Sequence, residues 1–177
     1  MTQDYYQKAM KFAGEKHHDQ KVPGTRANYL LHLANVSMEI IIAHKQSNDF
    51  DLDFAVQVAI LHDVLEDTPT GFEEVKELFG EEVARGVQAL TKNESLASKI
   101  EKMQDSLKRI NEEPREVGMV KLADRITNLQ TPPSHWSEEK IAAYLQEAKF
   151  IAMELTEKNE YLHERLLDKI EGYGKYS

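Results

Sequence analysis

Four ionisable residues fall within six positions of the stretch "AILHDVLEDTPT" at 59–70: His62, Asp63, Glu66 and Asp67. On a helix, residues three or four apart are neighbours, so Glu66 lies beside both His62 and Asp63, and Asp67 lies beside Asp63. The four form one polar wedge, with Val58, Leu61 and Leu65 on the apolar side. Three carboxylates in a last helical turn sit at the negative end of the helix dipole and repel one another. A metal ion held by His62 and Asp63 would compensate. The plainer alternative is an acidic, solvated helix end with His62 as a hydrogen-bonded core histidine, and this segment alone leaves both open.

Two further stretches bear on that choice. "VKLADRITN", 120–128, sets Lys121, Asp124, Arg125 and Asn128 at i, i+3, i+4 and i+7, a polar stripe with Met119, Leu122, Ala123, Ile126 and Leu129 on the other sides. Alone it reads as a salt-bridged surface face. "ANYLLHLANV", 27–36, places His32 inside an amphipathic helix among Leu31, Leu33, Ala34 and Val36, where a single histidine is usually a satisfied core residue. Taken together, His32, the His62–Asp63 pair and Asp124 supply two imidazoles and two carboxylates from three helices. Such a nitrogen–oxygen set suits Mn, Fe, Zn or a similar ion.

The elements that must position these groups read as all-α. Apolar periodicity marks helices over 2–18, 28–45, 51–66, 71–79, 80–91, 95–112, 115–130, 138–157 and 159–172, and no clear stretch alternates with period two. Asp51 is a suitable N-cap, Pro69 stops the third helix shortly after Asp67, and Thr70 with Glu73 three residues on predicts a capping box. "QTPPSHW", 130–136, is a loop that no helix can cross. With no internal repeat and no dividing linker, residues 1–177 are expected to form a single domain.

Composition narrows the class of function. At 177 residues, 41% hydrophobic and 30% charged, the chain has the profile of a soluble globular protein. A net charge of −9 argues against binding along a nucleic-acid backbone, which asks for a basic surface. No run approaches a membrane span, and "MTQDYYQKAM" lacks the layout of an export signal, so a cytoplasmic location is expected. With no cysteine, any metal must be held by histidine and carboxylate.

In this order and at these separations, "YLLHL", "AILHDVLEDT", "ALTK" and "VKLADRITN" resemble the HD-domain hydrolases of the RelA/SpoT type, over about residues 5–155. The likeness is greatest to the small stand-alone members. The resemblance implies an all-α HD-domain bundle in which His32, His62, Asp63 and Asp124 hold a divalent metal, typically Mn²⁺. Glu66 and Asp67 would position and activate the attacking water. Asn128 and Thr131 match positions that contact a nucleotide, and Tyr144 an aromatic that lines its pocket. Lys121, Arg125 and one of Lys21 or Arg26 are the expected phosphate partners, with further lysines of 90–109 at the pocket mouth. The remaining histidines, His17 among them, are expected at the surface. The chain departs from the family pattern around "QKVPGTRANYLLHL", where Asn28 and Leu33 replace prolines, and at Thr127, where histidine is common. The implied activity is removal of the 3′-pyrophosphate from a (p)ppGpp-like alarmone. The alternatives are phosphatase action on an adenine alarmone, NADPH or a dNTP, and a non-catalytic nucleotide-binding domain.

Overall fold

In the computed structural model, which describes residues 1–176, ten α-helices and one short 3₁₀ turn account for the regular structure. They are α1 (Thr2–Lys16), α2 (Leu30–Ser47), α3 (Leu52–Leu61), α4 (Val64–Asp67), α5 (Phe72–Phe79), α6 (Glu81–Leu90), α7 (Lys99–Glu112), α8 (Arg115–Asn128), α9 (Glu138–Glu154) and α10 (Glu160–Tyr173). The fold is all-α, with one isolated antiparallel bridge, Lys21–Asn28, among the described residues.

Two helices organise the rest. Residues Ala55 to Leu61 of α3 are all buried, so this helix has no solvent face over most of its length and must be surrounded. It packs against α1, α2, α6 and α8. Helix α8 is nearly as enclosed and touches α2, α3, α6, α7, α9 and α10. Gly86 lets α6 approach both: a Cβ there would stand 3.1 Å from Val117 and 3.2 Å from Val58. The expected N-cap forms, with Asp51 accepting from the Phe54 amide at 3.0 Å, and the Asp51 amide bonds Glu116 of α8 at 3.0 Å. The N-cap of α3 is thereby tied to α8.

Three expectations need correction. The helix predicted over 51–66 is broken at His62–Asp63. The Ala59 carbonyl accepts from the His62 ring at 2.7 Å, and Asp63 leaves regular helical geometry at φ −101°, ψ −1°, before α4 resumes for one turn. The capping box predicted at Thr70 does not form. Gly71 is the N-cap, and the Thr70 hydroxyl lies 2.8 Å from that of Thr68, which also bonds the Val64 carbonyl. The helix predicted from 95 starts at Lys99 instead, where Ser98 and Glu101 form a capping box of their own.

Between α1 and α2 the chain turns through a short hairpin. Val22 donates to the Ala27 carbonyl at 3.0 Å and Tyr29 to the Gln20 carbonyl at 3.0 Å. Pro23 and Gly24, the latter at φ +76°, make the tip, as a turn with a left-handed third residue requires. Gln20 and Tyr29 therefore face each other across the hairpin's base.

Candidate metal centre and hydrolytic site

Three helices bring the predicted donors to one point. His32 comes from the first turn of α2, His62 and Asp63 from the break after α3, and Asp124 from the last turns of α8. His32 Nε2 lies 3.3 Å from His62 Nε2 and 3.4 Å from Asp124 Oδ1. His62 Nε2 lies 2.9 Å from Asp63 Oδ2 and 3.8 Å from Asp124 Oδ1, and His32 Nε2 is 3.7 Å from Asp63 Oδ2. Donors bound to one ion at about 2.1 Å stand roughly 3.0–3.4 Å apart; the ligand atoms of His32, His62 and Asp124 all lie within 4.8 Å of one another and could hold an ion, with Asp63 adjoining both imidazoles. The break makes this possible. On an uninterrupted helix the side chains of 62 and 63 would diverge by about 100°.

Neighbours orient His62, Asp63 and Asp124. The Ala59 carbonyl takes the Nδ1 proton of His62 and leaves Nε2 as the free lone pair, the arrangement that metal-binding histidines use. The Tyr29 hydroxyl donates to Asp63 Oδ2 at 2.5 Å. Asp124 accepts from Lys121 at 3.2 Å and from Asn128 at 2.5 Å. Burial works against the charged forms of all these groups, yet charge pairing wins at the centre. His62 is pushed up to about 9, because the charge and hydrogen bond of Asp63 and the charge of Asp124 outweigh its burial. Asp63 is held below the usual carboxylate range against burial by His62, and Asp124 against burial by Lys121, His32 and His62. Tyr29 is raised by burial and by Asp63, which keeps it a donor. The cage thus selects for positive charge.

Beside the cage lies a cleft of about 210 Å³ lined by Asp63, Glu66, Asp67, Lys92, Asp124, Arg125 and neighbouring residues. Glu66 accepts from the Lys92 amide at 3.0 Å and from its ammonium at 2.5 Å. Asp67 Oδ2 accepts from Gln20 Nε2 at 2.7 Å. Burial raises the Asp67 carboxyl; the Gln20 bond opposes this, and the charges of Asp63 and Glu66 add to it. One face of the cleft is therefore acidic, and Glu66 and Asp67 accept hydrogen bonds from Lys92 and Gln20 respectively.

The predicted substrate contacts divide. Lys121, Arg125, Asn128 and Tyr144 line the cleft. Arg125 is 4% exposed, pairs with Glu147, and stacks on Tyr144 with its guanidinium 4.4 Å from the ring centre, while its Nε and Nη1 have no partner. Burial pushes Tyr144 up to about 12, with Arg125 opposing. Thr131 lies in a second cleft of about 420 Å³, which Asn128 and Tyr144 share with Val22, Pro23, Thr25 and Trp136. Lys21 and Arg26 are exposed on the hairpin and line neither cleft. Of the basic residues in the stretch 90–109, Lys92 lines the first cleft, as do the apolar Leu90 and Met103; Lys102 pairs with Glu94, and Arg109 bonds Asp105 and the carbonyls of Gln88, Ala89 and Thr91.

Gln20, Tyr29 and the clamp of Lys92 on Glu66 were not foreseen. Tyr29 stands three positions before His32, a spacing that puts it on the same face and is the one signal that pointed to it. His17 contradicts the expectation of a surface histidine, being 1% exposed and stacked on Tyr29 with ring centres 5.1 Å apart.

A model of the HD domain matches residues 9–158 of this chain. The chain belongs to the HD-domain family. It is similar to the guanosine-3′,5′-bis(diphosphate) 3′-pyrophosphohydrolase MESH1 of Danio rerio, with 32% identity over 89% of this chain and 87% of that protein. The MESH1 of Homo sapiens is 31% identical over 89% of this chain and 88% of its own length. A guanosine-3′,5′-bis(diphosphate) 3′-pyrophosphohydrolase of Aquifex aeolicus is 38% identical over 71% of this chain, but that match spans 17% of the longer protein. In three dimensions the HD-domain chain is similar to a metazoan ortholog of SpoT that hydrolyses ppGpp, with a TM-score of 0.83, 27% identity and coverage of 96% of both chains. This HD-domain chain is accordingly a metal-dependent phosphohydrolase.

Proposed function

We propose that this HD-domain chain removes the 3′-pyrophosphate from a guanosine-3′,5′-bis(diphosphate)-like alarmone, with Mn²⁺ held by His32, His62, Asp63 and Asp124. The observation that carries the reading is the convergence of those four donors beside the Glu66–Asp67 pair. The named activity of relatives that match most of the chain supports it.

The bound ion would lower the pKa of a water ligand and make it a nucleophile at neutral pH. Glu66, at the cleft wall, is the base that takes the water's proton. Lys92 bonds both oxygens of Glu66, its amide to Oε2 and its ammonium to Oε1, and so fixes the orientation of the carboxylate. Asp67 orients the water. Lys121 and Arg125 stabilise phosphate charge from α8, and the unpartnered Nε and Nη1 of Arg125 leave it capacity to do so. Asn128, Thr131 and Tyr144 form the nucleoside side, towards the larger cleft. Lys21 and Arg26 lie on the exposed hairpin outside both clefts and would reach only parts of a substrate that project into solvent. The ligand is a small phosphorylated nucleotide and the location cytoplasmic. No described helix is long and apolar enough to cross a membrane.

The test is a substrate panel with Mn²⁺, comprising ppGpp, pppApp, NADPH and dNTPs, in which released pyrophosphate is separated from orthophosphate. Pyrophosphate from ppGpp is expected. Orthophosphate alone would overturn the assignment. Glu66→Ala and Asp67→Ala should each lower kcat by roughly 10²- to 10⁴-fold, the usual scale for loss of a general base or its orienting partner, with the helical circular dichroism unchanged. Unchanged turnover in both would remove the roles given to them.

A further inference from the structure

Behind Asp67 runs a chain of side chains that the reaction as described does not use. His17 Nδ1 lies 2.6 Å from Gln20 Oε1, and Gln20 Nε2 donates to Asp67 Oδ2 at 2.7 Å. We propose that His17 and Gln20 are positioning residues of the hydrolysis: the buried imidazole of His17 sets the Gln20 amide, and Gln20 holds Asp67 so that its Oδ1 faces the attacking water. The inference rests on the hydrolase reading and adds two residues to it.

The chemistry of the chain permits only one arrangement. A carboxylate accepts and does not donate, so Gln20 must turn its NH₂ towards Asp67 and its carbonyl towards His17. His17 must then carry its proton on Nδ1. Its Nε2 is left buried without a partner. A buried polar atom without a partner typically costs about 1–3 kcal/mol, so this imidazole is a poor choice for stability alone. A phenylalanine would stack on Tyr29 as well and leave no buried ring nitrogen without a partner.

What needs holding is Asp67. It is the last residue of the one-turn helix α4, it is exposed, and it shares the cleft with Asp63 and Glu66, whose charges push it away. The Gln20 amide is the side-chain donor that reaches its carboxylate, and this bond limits its rotamers. A misplacement of about 1 Å in a reacting group can cost on the order of 10²-fold in rate. The hairpin makes the constraint rigid. Gln20 and Tyr29 are paired through the backbone at its base, and Tyr29 holds Asp63 while Gln20 holds Asp67. His17 stacks on Tyr29 and bonds Gln20, so one ring registers the water-handling carboxylate against a metal ligand.

The experiment uses the full chain, loaded with Mn²⁺ and assayed on ppGpp. His17→Phe keeps the stack and removes the donor, while Gln20→Leu cuts the link at a half-buried site that tolerates an apolar side chain. Both are expected to lower kcat about 10- to 100-fold with KM and bound Mn²⁺ within about twofold of the parent. His17→Asn, whose amide NH₂ sits where Nδ1 was, should restore kcat to within about threefold, whereas His17→Gln, whose amide reaches the Nε2 position, should not. Equal losses in the Asn and Phe variants would overturn the proposal, as would unchanged kcat in His17→Phe and Gln20→Leu. A parent protein that releases no pyrophosphate from any alarmone would refute the hydrolase reading itself. The relay then still meets a test without turnover: imidazole ¹⁵N spectra should show His17 as the Nδ1–H tautomer, and the Nε2–H tautomer would refute it.

Discussion

Tyr29 and His62 show how much of the proposed metal centre would lie outside its four donors. The phenol that donates to Asp63 holds the carboxylate in one orientation, and losing such an outer partner commonly weakens metal binding by about 10- to 100-fold. Tyr29→Phe should do so with little change in fold, which isothermal titration with Mn²⁺ would read directly. His62 carries a second consequence. In the metal-free protein it titrates near 9 when folded, against 6.5 for an ordinary histidine, so folding takes up a proton between those values. The stabilising charge is complete below pH 6.5 and is lost as pH rises through 9. The melting temperature of EDTA-treated protein should therefore fall across that window, and Mn²⁺, which supplies the positive charge instead, should flatten the fall.

At the scale of the helix, the Asp51 cap is a joint. Its side chain closes the first turn of α3 and its amide is bonded by Glu116, so α3 starts where α8 allows. Asp51→Ala should lower stability by about 1 kcal/mol, measured by urea denaturation, with kcat on ppGpp unchanged because the site lies at the other end of α3. The helices were legible in the sequence because most bury one apolar stripe, and the order of His32, His62–Asp63 and Asp124 was legible because each stands on such a stripe among apolar neighbours. The break at His62–Asp63 was not. The apolar period runs on through Val64 and Leu65, and at the break the His62 ring bonds the Ala59 carbonyl one turn back. Gln20 and His17 were hidden for a different reason. Their partner, Asp67, is 47 residues from Gln20, and only the hairpin brings them together.

Across the molecule, α3 and α8 share neighbours on every side, and each ligand of the cage belongs to an element packed on one or both of them. The cage and the core therefore cannot come apart separately. We expect one cooperative thermal transition rather than two, with Mn²⁺ raising its midpoint as mass action requires for a ligand that binds only the folded state. Calorimetry would check this, and two resolved transitions would show that residues 1–177 do not behave as a single domain.

The cations that face the cleft are already engaged. Lys92 sits on Glu66, Lys121 on Asp124 and Arg125 on Glu147. A polyphosphate entering here competes with resident carboxylates for Lys92 and Lys121, and meets in Arg125 a guanidinium that Glu147 occupies only in part. The same competition acts on what is left after cleavage. A departing pyrophosphate gives up contacts that the protein's own anions immediately reclaim, so the pairing that blunts affinity for the substrate also helps to empty the site for the next turnover.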